Sequence, residues 1–380
     1  MNLFNLDDLK NDYKNVNINV FLRCDLNITE NDYSRIDLSI PTILELLELD
    51  SVKKLIICTH LGRPKNSFDP ELSTKNKIKP YLEEKLRRPI IHLNLNDNND
   101  VEKLIKNVDK SIYLTENIRF SNGETSNGFG LISKIKSFSD VYVNDAFGAS
   151  HRKHASVYGI SNEIKSYAGR LLEKEAEVID SLGSSKSNTT LILGGAKIKD
   201  KVGILMNLVD KVQRILIGGG MVSSFLTKDF PETFSKKIYE DNRDKFFIPI
   251  DLVTANELTP ESKTEKIDSE LFNKDSFIVD IGPKTINEYS RIVNQSEIVI
   301  WNGSMGIFEW QSGYLGTKEL IKSIMNSKCK TYAGGGSTIE SINSFGTKDS
   351  FEHISSGGGA FLELLESGSL VGIDNLIKNE

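Results

Sequence analysis

The sequence predicts an α/β protein with parallel β-sheets covered by helices on both faces. Strand-length apolar runs recur from end to end, and several stretches between them carry apolar residues at helical spacing. Polar and glycine residues cluster just after each run, at what would be the C-terminal edge of a parallel sheet, where open sheets bind ligands. The length, 380 residues, suits two or three domains.

In the first half, Asn19-Val20-Phe21-Leu22-Arg23-Cys24 reads as a strand ending in Asp25-Leu26-Asn27. Residues 36–49 read as a helix with Pro41 in an early turn. Lys54-Leu55-Ile56-Ile57-Cys58-Thr59 is a second strand, followed by His60-Leu61-Gly62-Arg63-Pro64. Residues 66–73 are a loop, 78–86 a helix and 90–93 a short strand. Ile112-Tyr113-Leu114 leads into Glu116-Asn117-Ile118-Arg119-Phe120, and Val141-Tyr142-Val143 into Asn144-Asp145-Ala146-Phe147-Gly148. Residues 168–182 read as a helix, and the small polar stretch Gly183-Ser184-Ser185-Lys186-Ser187-Asn188 marks a break between domains.

The second half repeats strand, glycine turn and helix. The unit occurs at Leu191-Ile192-Leu193-Gly194-Gly195, Ile215-Leu216-Ile217-Gly218-Gly219-Gly220 and Ile298-Val299-Ile300-Trp301-Asn302-Gly303. It recurs at Thr331-Tyr332-Ala333-Gly334-Gly335-Gly336 and His353-Ile354-Ser355-Ser356-Gly357. Five such turns predict a second parallel sheet. Their spacing is too irregular for a solenoid. None fits the dinucleotide or P-loop fingerprint, so those readings lose their main support.

Composition sets outer limits. Hydrophobic residues at 38% and charged residues at 26% allow large cores. A net charge of −6 argues against nucleic acid as the main partner but leaves room for a local cationic cleft. No apolar run approaches the roughly 20 residues that span a bilayer, and the first residues do not resemble a signal peptide. Cys24, Cys58 and Cys329 are dispersed and odd in number, which fits neither a metal site nor a disulfide framework and suits a reducing, cytoplasmic location.

Two constellations could carry chemistry. After Gly194 and Gly195 a phosphate could approach the backbone and meet the first amides of a helix, with Lys197 and Lys201 on one helical face. The alternative is an ordinary turn followed by a surface helix with solvated lysines. In the first half Arg35, Arg63, Arg119 and Arg152, with His60, His151, His154, Asp25 and Asn27, lie in or beside strand-end loops. Converging arginine forks would hold a small, highly anionic molecule. The alternative is scattered surface arginines. Glu309 could accept from ribose hydroxyls or simply sit near a helix start, where the dipole favours it. No zincin spacing and no nucleophile elbow is present. An arginine-rich anion pocket beside a nucleotide-like pocket points to phosphoryl transfer, which needs alignment and charge neutralisation more than a covalent nucleophile.

These residues resemble the phosphoglycerate kinase family along nearly the whole chain. Arg23-Cys24-Asp25-Leu26-Asn27, His60-Leu61-Gly62-Arg63-Pro64, Glu116-Asn117-Ile118-Arg119-Phe120 and the run from Asn144-Asp145-Ala146-Phe147-Gly148 through His151-Arg152 match its motifs in order. So do Gly194-Gly195-Ala196-Lys197 with Asp200-Lys201, Trp301-Asn302-Gly303 and Phe308-Glu309. The resemblance implies two Rossmann-like α/β/α domains facing each other across a hinge-bending cleft. Residues 1–167 would bind the glycerate substrate, with the tail 370–380 returning to them. Residues 168–183 would be a hinge helix and 184–369 a nucleotide domain.

It further implies that Asp25, Asn27, Arg35, His60, Arg63, Arg119 and Arg152 hold 3-phosphoglycerate or 1,3-bisphosphoglycerate. Lys201, Glu309, Gly335, Gly336, Ser337 and Thr338 would hold ATP or ADP with Mg2+. Arg35 and Lys197, with the amides of Gly335 and Gly336, would stabilise the phosphoryl group in transfer. A monomer without nucleic-acid or membrane partners is expected.

The chain departs from the family at Ser337, where an aspartate that helps bind the nucleotide's metal is usual, and at Ser304, where proline is common. Cys24 and Leu26 stand for valine and phenylalanine. Ser337 with Glu340 reads as a capping box that preserves the helix start. Loss of the charged oxygen predicts weaker Mg2+-nucleotide binding or turnover. An active kinase is the first reading; a weakened or non-catalytic relative that binds the same ligands is the second.

Overall fold

The structure, a computed structural model, describes residues 1–28, 33–64, 68–183, 188–232, 234 and 236–378. The chain forms two compact units, Met1–Glu177 with Ser369–Glu380, and Val178–Gly368. The polar break read from the sequence lies largely outside the described residues, at 184–187.

The first unit is built on strands β1 (Ile18–Cys24), β2 (Val52–Cys58), β3 (Ile91–Leu93), β4 (Ser111–Thr115), β5 (Val141–Asp145) and β6 (Lys165–Ala168). They pair in the order β3-β4-β2-β1-β5-β6, every pair parallel. Its helices are α1 (Leu6–Asp12), α2 (Ser34–Glu48), α3 (Thr74–Lys77), α4 (Lys79–Leu86), α5 (Asn98–Lys106) and α6 (Phe129–Lys136), and α7 (Arg170–Gly183) begins in this unit and continues past its end at Glu177. Side chains of a strand alternate between faces, and here both faces are buried. Val20, Leu22, Leu55, Ile57 and Val143 pack with Ile43 and Leu46 of α2 and Leu82 of α4. Their neighbours Phe21, Ile56, Tyr113 and Tyr142 pack on the opposite side with Leu104 of α5 and Ile132 and Ile135 of α6. Each such buried side chain contributes roughly 1.5–3 kcal/mol.

The second unit has strands β7 (Thr189–Leu193), β8 (Arg214–Ile217), β9 (Phe246–Phe247), β10 (Asp251–Ala255), β11 (Thr264–Asp268), β12 (Phe277–Ile281), β13 (Ile298–Asn302), β14 (Lys330–Ala333) and β15 (His353–Ile354). Six form a parallel sheet in the order β15-β14-β13-β7-β8-β9. Its helices are α8 (Val202–Leu208), α9 (Val222–Thr227), α10 (Lys236–Asp241), α11 (Pro283–Gln295), α12 (Leu315–Asn326), α13 (Gly336–Phe345) and α14 (Gly359–Ser367). Ile192, Val299 and Trp301 pack with α11 and α12 through Ile292, Leu320 and Ile324. The remaining strands, β11-β10-β12, make a separate antiparallel sheet that the strand-and-glycine pattern does not announce.

Two local expectations need correcting. Pro41 is the eighth residue of α2 and lies inside it, because the helix begins at Ser34 and accommodates the lost hydrogen bond. Ala168 is the last residue of β6, and the following helix starts at Arg170. Its amide is held by Phe4 O at 2.7 Å, which keeps it in extended structure. Helices α1, α5 and α6 are additional to the sequence reading.

The C-terminal segment packs on the first unit. Phe4 N donates to Leu376 O at 2.7 Å, Gly372 N to Ser150 O at 2.8 Å and Asn144 Nδ2 to Gly372 O at 2.8 Å. Among the described residues no helix is long and apolar enough to cross a membrane.

Candidate functional site

In the first unit the chain leaves the central strand β1 to build β2, β3 and β4, then returns to add β5 on the other side. The reversal lies at the C-terminal ends of β1 and β5, where such sheets open a crevice. The sheet order therefore brings four strand ends side by side, those of β4, β2, β1 and β5. Asp25 follows β1, His60 follows β2, Arg119 sits in the turn after β4, and Arg152 lies beyond the turn after β5. Arg35 comes from the first turn of α2.

Cross-links between loops hold this edge. Gly62 N donates to Asn27 Oδ1 at 2.9 Å and Leu26 N to Thr59 Oγ1 at 3.0 Å. Asn117 Nδ2 donates to Leu61 O at 2.8 Å, and Arg119 Nη1 to Gly62 O. Arg35 Nη1 reaches Asp25 Oδ2 at 2.8 Å. Arg63, Arg119, His151, Arg152 and His154 line a cleft of about 420 Å³.

The electrostatics register the convergence. Burial pushes His60 well below its ordinary pKa, and the charges of Arg23, Arg119, Arg152 and Arg35 push it further. Arg119 is lowered to about 10 by burial and then by Arg152 and Arg23. Arg152 is lowered by burial and by Arg63, Arg23 and Arg35, with Asp25 opposing. Arg119 Nε and His151 Nδ1 are buried without a hydrogen-bond partner. Crowded cations with unspent donors make a site that gains from a polyanion.

The structure places Arg35, His60, Arg63, Arg119 and Arg152 along one sheet edge, and Asn27 lies there with them. Its carbonyl oxygen is spent on Gly62 N. Arg23 was absent from the expected set, although it is 1% exposed and bonds His60. The available signal was a charged residue inside an otherwise apolar central strand.

In the second unit the reversal lies between β7 and β13. There Gly194 and Gly303 pack backbone against backbone. A Cβ on Gly194 would lie 1.9 Å from Ser304 O, and one on Gly303, at φ 93°, 2.2 Å from Gly194 O. Asn302 is buried between the turns: Oδ1 accepts from Lys201 Nζ, and Nδ2 donates to Gly334 O at 2.6 Å. Burial lowers the Lys201 pKa, against the charges of Asp200 and Glu366. Gly335, at φ 98°, turns the chain into α13. An added Cβ on Gly336 would meet nothing within 4 Å, so the start of this helix is open for a ligand to approach. Glu309 lies in an exposed turn rather than a helix.

Two expectations fail here. Lys197 and Lys201 do not share a helical face, because the glycines lead into a 3-10 turn, Ile198–Asp200, and α8 begins only at Val202. Lys197 is exposed, and Lys201 is half-buried at the start of α8. Ser337 is not a capping residue. The cap is Gly335, without a side-chain bond, so Ser337 falls inside the first turn and Glu340 is too far along. Thr338 is buried, and its Oγ1 accepts from Gly303 N at 2.7 Å. Among the described residues no cluster of three or more His, Cys, Asp or Glu could hold a metal ion.

The phosphoglycerate kinase family model matches residues 8–368. The phosphoglycerate kinase of Finegoldia magna is 37% identical over 98% of this chain and 99% of its own, and that of Dictyoglomus turgidum 38% over 93% and 94%. A solved phosphoglycerate kinase from Coxiella burnetii superposes with a TM-score of 0.84 at 29% identity, covering 95% of this chain and 96% of that one. One from Pyrococcus horikoshii gives 0.75 at 28%, covering 98% of each. With motif order, twin parallel sheets and near-complete coverage in agreement, the chain belongs to the phosphoglycerate kinase family.

Proposed function

We propose that the protein catalyses reversible phosphoryl transfer from the acyl phosphate of 1,3-bisphosphoglycerate to ADP, giving 3-phosphoglycerate and ATP, as a glycolytic enzyme. The observation that carries this reading is the gathering of Arg23, Arg35, Arg119 and Arg152 around His60 at one sheet edge, in a chain whose net charge is negative. Such a cluster suits a substrate with a carboxylate and one or two phosphates.

In this reading residues 1–167 and the tail bind the glycerate, and residues 184–369 bind the nucleotide. Arg35, His60, Arg63, Arg119 and Arg152 grip the acid, with Asp25 orienting Arg35. Lys201, Glu309 and the open helix start at Gly335 and Gly336 receive the nucleotide. Arg35 and Lys197 neutralise charge on the moving group. No strong base is required, because the accepting carboxylate is already ionised.

The residues at α13 do not by themselves form a magnesium site, since its first turn carries no acidic side chain and Ser337 offers a neutral hydroxyl. Any Mg2+ is carried chiefly by the nucleotide's phosphates, which need few protein ligands. A cytoplasmic monomer completes the proposal, supported by three free cysteines.

The test is a coupled assay of the purified protein with 3-phosphoglycerate and Mg-ATP. Turnover that requires both substrates is expected. Binding of either ligand without turnover would overturn the assignment as an enzyme.

A further inference from the structure

Behind the arginine-lined edge runs a buried chain of hydrogen bonds whose direction can be read. Glu124 is 1% exposed. Its Oε1 accepts from Ser156 Oγ at 2.7 Å and its Oε2 from Ser156 N at 3.0 Å. Ser156 Oγ–H is directed at Glu124, so Oγ accepts from Arg23 Nε, 3.0 Å away. Arg23 Nη2 lies 3.2 Å from His60 Nδ1. A guanidinium has only donors, so Nδ1 must present a lone pair. The remaining imidazole proton is therefore on Nε2. Protonating Nδ1 would set two donors against each other and add a cation to the field of Arg23, Arg119, Arg152 and Arg35.

We propose that Glu124 is a positioning residue for the kinase reaction: through Ser156 and Arg23 it holds His60 as the neutral Nε2–H tautomer, a hydrogen-bond donor and not a base. The proposal rests on the kinase reading above. It gives the site a selectivity that arginine charge alone lacks. A neutral Nε2–H adds one directed donor for an accepting oxygen of the substrate, where the arginines supply mainly charge. Glu124 is suited to the task because His154, 3.5 Å from Oε1, Arg23 and Ser156 together outweigh the cost of its burial and keep the carboxyl below its ordinary pKa.

The experiment uses full-length protein labelled with 15N in histidine, with His60→Gln assigning the resonance. Wild-type His60 is expected to show a pyridine-type Nδ1 and a pyrrole-type Nε2, unchanged between pH 8 and pH 6. Ser156→Ala and Glu124→Gln should mix the tautomers or let His60 titrate in that range. Both should weaken 3-phosphoglycerate binding about tenfold by calorimetry and leave ADP binding unchanged. A loss of packing alone would lower the melting temperature without moving the tautomer. If Glu124→Gln does not fold, Ser156→Ala decides.

A proton on Nδ1 in the wild type, or both variants keeping the wild-type tautomer and affinity, would overturn the proposal. Absence of kinase turnover in the wild type would overturn the kinase reading and this role with it. That failure is told apart because the tautomer is read without ligand.

Discussion

Arg35 Nη1 sits 2.8 Å from Asp25 Oδ2, tying the first turn of α2 to the end of β1. Asp25 is 4% exposed, and its second oxygen, Oδ1, is buried without a partner. The carboxylate is thus a fixed anchor for Arg35, whose side chain stays 37% exposed against 4% for Asp25.

Arg35→Ala should lower kcat about 10²–10³-fold, the usual cost of removing one transition-state donor. Asp25→Asn should cost about tenfold, because Arg35 keeps its charge and loses its aim. The double variant Asp25→Asn/Arg35→Ala should be no worse than Arg35→Ala. Steady-state rates in a double-mutant cycle check this, and additive losses would mean that Asp25 acts independently of Arg35.

The glycines of the second unit divide into two kinds. Gly303→Ala forces a Cβ at φ 93° to within 2.2 Å of Gly194 O and should destabilise by more than about 3 kcal/mol. Gly336→Ala meets nothing within 4 Å and should keep the wild-type melting temperature while weakening ADP binding several-fold. Thermal melts and calorimetry separate the two. Equal loss of stability in both would show that Gly336 is a packing residue.

Ser337→Asp adds a carboxylate to the first turn of α13, which has none. Negative charge there favours the helix by about 0.3–1 kcal/mol and supplies an oxygen of the kind Mg2+ prefers. ADP binding measured by calorimetry should tighten in the presence of Mg2+ and weaken in its absence. No Mg2+-dependent difference from the wild type would show that residue 337 is remote from the metal.

Asp145 ends β5, accepts from Thr42 Oγ1 and Leu171 N at 3.0 Å each, and is pushed up to about 7 by burial, which outweighs those bonds. The unfolded carboxyl titrates near 3.8. Between these values the native state holds a proton that the unfolded state has released. This contribution is therefore complete below about pH 4 and is lost as pH rises through about 7, by up to roughly 4 kcal/mol. Asp145→Asn removes the loss, so urea unfolding should show the variant gaining on the wild type from pH 4.5 to pH 8. A gap independent of pH would show that the ionised form is well accommodated.

Much was legible from local sequence. Runs such as Val20-Phe21-Leu22 and Leu55-Ile56-Ile57 are apolar on successive residues, as a strand buried on both faces requires, and such strands are typical of parallel sheets. The residues that follow such runs, Asp25, His60 and Gly194, mark the C-terminal edge of each sheet because polar groups and glycine end a buried run there.

Other features depend on neighbours distant in sequence. That the ends of β4, β2, β1 and β5 stand side by side is set by strand order. The Arg23–His60 bond joins residues 37 positions apart, and Arg23 reads locally as an anomaly in a strand. The close backbone approach of Gly194 to Gly303 joins strands far apart in sequence and cannot be read from either segment alone. Periodicity encodes which side of an element is dry, a property of each segment alone. Which segments then touch is decided by packing free energy summed over the whole sheet, and the chemistry of this site is a product of those contacts.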